Sequence, residues 1–262
     1  MVASGPHANE AVGIHRTGNG HHRHVLLIHG ALDRAAGMAL VARRLAPHCD
    51  VTRYDRRGYA SRWQDPGPFT IEAHVHDAIG LLDGRPSWIV GHSLGGDIAL
   101  AVADRRPDLV RGVTIYETPL SWMDFWPKDT AGASSMAVGP EQGAEAFMVR
   151  MIGQRRWDEL PERTKEARRR EGRALVEELS SLRERAPWSA DGIACRVIAG
   201  RGEKAAPHHV RGMQWVADNV AGAQLRILAG AGHGAPTTHA HQFVDELVLP
   251  HFVGEGTFTV TS

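Results

Sequence analysis

Residues 89–97 read IVGHSLGGD, a serine set between glycines at the end of an apolar run. The run starts as SWIV at 87–90, and the following GGDIALAVADRRP, 95–107, repeats apolar side chains three and four apart. A short apolar run bounded by glycine suits a buried strand, and the three-and-four spacing marks one face of a helix. The stretch is therefore a strand, a sharp reversal at Ser93 and a helix. A reversal this tight strains its central residue and leaves no room for side chains beside it, which suits glycine at 91, 95 and 96. The helix behind it turns its unpaired N–H groups and positive dipole end toward the serine oxygen. This is the context a G-x-S-x-G nucleophile elbow needs.

The same alternation extends in both directions. VLLI at 25–28, DVTRY at 50–54, VRGVTIY at 110–116, CRVIA at 195–199 and LRIL at 225–228 read as buried strands of a parallel sheet. RAAGMALVARRLA at 34–46, TIEAHVHDAIGLL at 70–82 and VRGMQWVADNV at 210–220 carry helical spacing. Strand and helix in turn predict an α/β fold with a mostly parallel central sheet covered by helices on both faces. Residues 118–190 break the alternation: they hold no strand pattern but carry Trp122, Met123, Trp126, Trp157 and Trp188. This segment reads as a helical cap inserted into a core domain made of 1–117 and 191–262. Its aromatics either pack the cap onto the core or, for Trp122, Met123 and Trp126, face a substrate. The arginines of EARRREGR, 166–173, read as a solvated helix face. The glycine- and proline-containing start, MVASGPHANE, and the tail GEGTFTVTS read as frayed ends.

Composition narrows the partners. Thirty basic and thirty acidic side chains cancel, so no net field favours nucleic acid or an anionic membrane. No apolar run approaches the roughly twenty residues that span a bilayer, and the start lacks a secretion signal. The expectation is a soluble cytoplasmic protein with a small-molecule partner, its oligomeric state left open, a homo-oligomer included. Cys49 and Cys195 fall within strand patterns and receive no chemical role.

A serine hydroxyl needs a base, and His233 in AGAGHGAP, 229–236, follows the last strand in a glycine-rich loop that can carry an imidazole over the sheet edge. A continuous helix is expected after it, over HAHQFVDELVLPHF at 239–252. An oxyanion needs two backbone donors. Leu94, directly after the nucleophile, gives one, and Ala31 in LLIHGALD, 26–33, gives the other, with His29 and Gly30 shaping the turn. His21, His22 and His24 have no matching ligand cluster, so neither metal nor cofactor is expected. Asp97 is assigned to the dipole of its helix, Asp33 to capping the helix after the oxyanion loop, and Asp55, Arg56 and Arg57 to a structural loop.

Taken in order, LLIHGAL, YDRRGYASR, IVGHSLGGDIAL, CRVIAGRGEKAAP and AGAGHGAP resemble the α/β-hydrolase fold superfamily over residues 25–250. The resemblance implies Ser93 as nucleophile, His233 as general base, the Leu94 and Ala31 amides as oxyanion hole, and a cap before the acid-bearing strand. By the register of that family, counted from Gly200 to Pro207, the acid is Glu203. Glu117 in TIYETPL, at the end of the strand after the nucleophile helix, is the alternative. The implied chemistry is hydrolysis of a carboxylic ester, thioester or lactone of an apolar substrate through an acyl-enzyme. C–C bond hydrolysis, lyase chemistry and acyl transfer use the same groups, and a small-molecule sensor with little turnover is the reading from another class.

Overall fold

The computed structural model describes residues 12–18 and 20–253. The stretches expected to fray, 1–10 and 254–262, lie outside the described residues. Seven strands form one sheet: β1 (Ile14–Thr17), β2 (His24–Ile28), β3 (Asp50–Tyr54), β4 (Ser87–His92), β5 (Val110–Tyr116), β6 (Arg196–Gly202) and β7 (Gln224–Leu228). Their order is β1-β3-β2-β4-β5-β6-β7, with β1 antiparallel to β3 and all other pairs parallel. Strand β1 has a half-exposed face with no apolar alternation, which is why the sequence did not announce it. At the other edge β7 leaves Arg226 and Ile227 exposed, so it is not the buried strand its apolar letters suggested. Cys49 and Cys195 each stand one residue before a strand instead of within it.

The helices α1 (Ala39–Leu45), α2 (Ile71–Leu82) and α3 (Leu94–Arg105) connect the first five strands. Five more, α4 (Ala131–Met136), α5 (Pro140–Ile152), α6 (Gln154–Asp158), α7 (Glu162–Arg170) and α8 (Gly172–Glu184), lie between β5 and β6. Then follow α9 (Pro207–Asn219), α10 (Ala235–Thr238) and α11 (Ala240–Phe243). Successive strand residues point to opposite faces, and the core divides accordingly. Leu26, Ile28, Ile89, Val113 and Val197 pack on one side, Val25, Leu27, Val51, Val90 and Ile198 on the other. Helix α3 is buried at every position from Leu94 to Ala103 and lies in the first of these layers. The helix expected over 239–252 is broken instead: α11 passes into a π turn at Val244–Val248 and a 3-10 turn at Leu249–Phe252, where Pro250 cannot continue an α-helix.

The insertion is tied to the core by a buried ion pair. Arg56, which follows β3, and Glu178 of α8 are both fully buried. Arg56 Nη1 donates to Glu178 Oε2 at 2.6 Å, Tyr59 Oη donates to Oε1 at 2.6 Å, and His74 Nε2 of α2 stands 3.1 Å from Oε2. Burial raises and Arg56 lowers the proton affinity of Glu178; the charges win, holding it down to about 2. The arginine run is not a plain solvated face: Arg168 meets Glu171 at 3.1 Å, Arg169 meets Glu145 and Glu162, and Arg170 covers the ring of Trp63. Asp33 does not cap the segment after the oxyanion loop. That position belongs to Asp55, whose Oδ1 accepts from Ala35 N at 2.8 Å while Oδ2 accepts from Ser61 Oγ. Asp97 is fully buried and accepts from Trp188 Nε1 at 3.2 Å, and burial pushes its carboxyl well above the usual range, so its observed contact is with the indole.

Two consequences can be measured. Glu178→Ala strands a buried guanidinium, and urea unfolding is expected to show a loss of about 3–5 kcal/mol, partly recovered in Arg56→Met/Glu178→Leu. Burial lowers His24, His74 and His251 to about 4. They stay neutral in the fold while the unfolded chain takes up protons below about pH 6.5, so stability falls as pH drops from 6.5 toward 4. Each histidine contributes up to about 1.4 kcal/mol per pH unit. Glu178 adds its own loss only below about pH 4.5, as its folded-state value is approached from above. Melting curves between pH 7 and 5 check the histidine part.

Candidate active site

Ser93 stands between β4 and α3 with φ 53° and ψ −129°, a left-handed backbone that a side chain adopts only under constraint. Its N–H donates to Tyr116 O at 2.8 Å and its carbonyl accepts from Gly96 N at 2.8 Å. A Cβ on Gly95 would meet the carbonyl of Ile28, and one on Gly91 would meet the backbone of Gly95. The glycines therefore let α3 begin against the end of β2, which places Leu94 beside the loop that carries Ala31. As the first residue of α3, Leu94 has no intrahelical acceptor for its N–H. Among the described residues neither its amide nor that of Ala31 is taken up by another group.

Glu117 directly follows β5, also with a left-handed backbone, φ 46°. Its carboxylate is 1% exposed and accepts twice: Oε1 from Gly202 N at 3.0 Å, Oε2 from His233 Nδ1 at 2.8 Å. With Nδ1 donating, the neutral ring presents Nε2 as an acceptor. Glu203, the acid expected from the family register, does not reach the imidazole. Its Oε2 accepts from Gly230 N at 2.7 Å and braces the turn after β7. The family register and the fold differ because the backbone at 117 turns its side chain across the end of β6, filling the place beside His233.

Two residues that the sequence reading missed hold the histidine loop. His92 Nε2 donates to His233 O at 2.9 Å, and Tyr116 Oη donates to Gly232 O at 3.0 Å. Burial first, then His233, pushes His92 down to about 3, so it remains a neutral donor. Each precedes a site residue by one position, and that adjacency was the available signal. His209, also missed, stacks on His233 with ring centroids 5.1 Å apart, and its Nδ1 is buried without a partner. Burial and the facing His233 press its proton affinity well below that of a free histidine.

Ser93, Glu117 and His233 line one cavity of about 400 Å³, together with Ala31 and Leu94. Trp126, Phe147, Met151 and Leu179 supply apolar wall from the insertion, and Arg150, Arg183, Lys204 and His208 supply polar wall. Of the three cap residues expected to face a substrate, Trp126 lines this cavity. Trp122 packs edge-on to Trp188 at 5.6 Å, and Met123 packs against the core. A larger groove of about 720 Å³ runs between Thr70, Arg105 and Glu184, and no histidine lines it.

Glu117, His209 and His233 also hold ligand atoms within 4.8 Å of one another, a two-histidine, one-carboxylate set of a kind that suits a divalent transition ion. An ion there would compete with the Glu117–His233 hydrogen bond. His24, weighed as a ligand from the sequence, is committed to Ser87 Oγ and Thr52 Oγ1 at 2.8 Å each.

Residues 25–246 match the family described as Alpha/beta hydrolase family. The chain belongs to that family. It is 28% identical over 235 residues to a pimeloyl-[acyl-carrier protein] methyl ester esterase of Chromobacterium violaceum, covering 85% of this chain and 92% of that one. It is 34% identical over 97 residues to Lipase LipV of Mycobacterium tuberculosis, a match spanning about a third of either chain, 36% of each. In architecture it is similar to the enol-lactonase from Burkholderia xenovorans LB400, with a TM-score of 0.72 and 22% identity over 92% of this chain and 96% of the other. No helix among the described residues is long and apolar enough to cross a membrane.

The two glutamates separate by measurement. Glu117→Gln is expected to lower hydrolytic kcat by roughly a thousandfold or more, because the imidazole loses both its tautomer and its counter-charge. Glu203→Gln, acting on a surface turn, is expected to cost less than about tenfold.

Proposed function

We propose that this hydrolase cleaves a carboxylic ester, thioester or lactone of a small substrate through an acyl-enzyme on Ser93. The observation that carries the reading is the His233 Nδ1 to Glu117 hydrogen bond, 2.8 Å long, in the wall of the cavity into which Ser93 opens. In this reading His233 Nε2 takes the proton of Ser93 Oγ as the oxygen attacks the carbonyl carbon. The charge that develops on the carbonyl oxygen is met by the Leu94 and Ala31 amides and by the positive end of α3. One such donor is worth roughly a hundred- to a thousandfold in rate. Glu117 stabilises the imidazolium, which then protonates the departing alcohol, thiol or lactone oxygen. Water enters, gives its proton to His233 and attacks the acyl carbon; as the C–Oγ bond breaks, the imidazolium returns that proton to Ser93 Oγ and the acid is freed.

Ester and lactone are the favoured classes because the similar proteins named above as esterase, lipase and enol-lactonase act on such bonds by their names. A cavity of about 400 Å³ with Trp126 and Phe147 in its wall suits a small acyl group better than a long chain.

The test uses a fluorophosphonate probe and p-nitrophenyl esters of rising chain length. Labelling is expected in the wild type and absent in Ser93→Ala, with turnover greatest for short acyl groups. Labelling that persists in Ser93→Ala would sink the assignment.

A further inference from the structure

The cations around the cavity have no task in the hydrolytic steps. Arg150, Arg183 and Lys204 line it, and Glu117, the one carboxylate in its wall, is already committed to Gly202 and His233. Among the described residues none of these three cations forms an ion pair. Arg150 donates to the carbonyl of Asp129 at 3.0 Å, and Arg183 donates through Nη2 to Thr130 Oγ1 at 3.1 Å. The neighbouring arginines Arg168 and Arg169 of the same insertion each meet a carboxylate, so the missing partner at Arg183 is local.

Arg183 differs from an ordinary surface arginine. It is half-buried on α8, one turn after Leu179, and both residues line the cavity from one helix face. Burial draws its guanidinium below its ordinary proton affinity, and no neighbouring charge opposes the shift. A partly desolvated cation without a counter-ion is costly, and a guanidinium with donors to spare is shaped for the two oxygens of a carboxylate. The same cavity wall carries the apolar side chains Trp126, Phe147 and Leu179 as well as Ser93.

We propose that the substrate is an ester or lactone whose far end carries a carboxylate, held by Arg183 with Arg150 and Lys204 beside it. This rests on the hydrolytic reading of Ser93 and adds the identity of a second group that the substrate carries. Three cations around an apolar wall select a short, amphiphilic anion over a neutral ester of equal length. The selection comes from binding and so appears mainly in KM.

The experiment compares the mono-p-nitrophenyl ester of glutaric acid with its methyl-capped, neutral counterpart. For the wild type kcat/KM is expected to be roughly ten- to a hundredfold higher for the anion. In Arg183→Gln the ratio should fall close to one, and in Arg183→Lys part of it should return. Equal kcat/KM for the two esters in the wild type overturns the proposal, and that measurement needs no variant. A second arm does not depend on turnover: glutarate should raise the melting temperature of Ser93→Ala, and glutaramide should not. Absence of ester hydrolysis with glutarate still stabilising Ser93→Ala would fault the hydrolytic reading and keep the anion site. Hydrolysis without discrimination would do the reverse. Stronger stabilisation by phenyl phosphate than by glutarate would overturn the choice of a carboxylate.

Discussion

The buried pairing of Arg56 with Glu178 is the contact on which the arrangement of core, oxyanion loop and insertion depends. Besides gripping Glu178, Arg56 donates from Nε to His29 O at 3.1 Å and from Nη2 to Gly30 O at 2.9 Å. Its own N–H donates to His29 Nε2, and His29 Nδ1 donates to Gly30 O at 2.8 Å. One guanidinium thus fixes the loop that carries Ala31 while holding the helix that carries Leu179 and Arg183. Taking two charges out of water costs several kcal/mol per ion, which is tolerable here because Tyr59 and two backbone carbonyls add hydrogen bonds to the pair. The effect of the pair is positional: the floor and the roof of the cavity are registered to each other through a single side chain.

The strand ends show a second economy. His92 and Tyr116 end their strands and reach the loop that bears His233, and the next residues, Ser93 and Glu117, turn with a left-handed backbone toward the cavity. The groups of the proposed reaction and the groups that hold them in place are therefore adjacent in sequence, at the ends of β4 and β5. Parallel strands bring the ends of β2, β4 and β5 together at one edge, so the residues converge without a long connecting loop between them.

Most of the fold was legible because its signals are periodic. Six of the seven strands carry apolar runs, and the helices of the core carry three-and-four spacing. What was not legible depends on geometry that letters do not encode. Strand β1 gains its place by pairing with β3 and not through burial. Glu203 and Glu117 are both carboxylates near strand ends, and only the left-handed backbone at 117 decides which one meets His233. The stacking of His209 on His233 joins two helix-and-loop segments across the cavity, and its doublet with His208 looked like any other pair of histidines. Among the cap aromatics, Trp126 and Trp122 differ in fate because one side of the 120–126 turn faces the cavity and the other faces Trp188.

The two left-handed residues at the site bear on how this sequence trades durability against chemistry. Ser93 and Glu117 occupy backbone conformations that glycine or asparagine adopts at lower cost, and each such residue stores on the order of 1–3 kcal/mol of strain. In the proposed reaction these two positions carry the hydroxyl and the carboxyl, so the strain sits where the chemistry is placed.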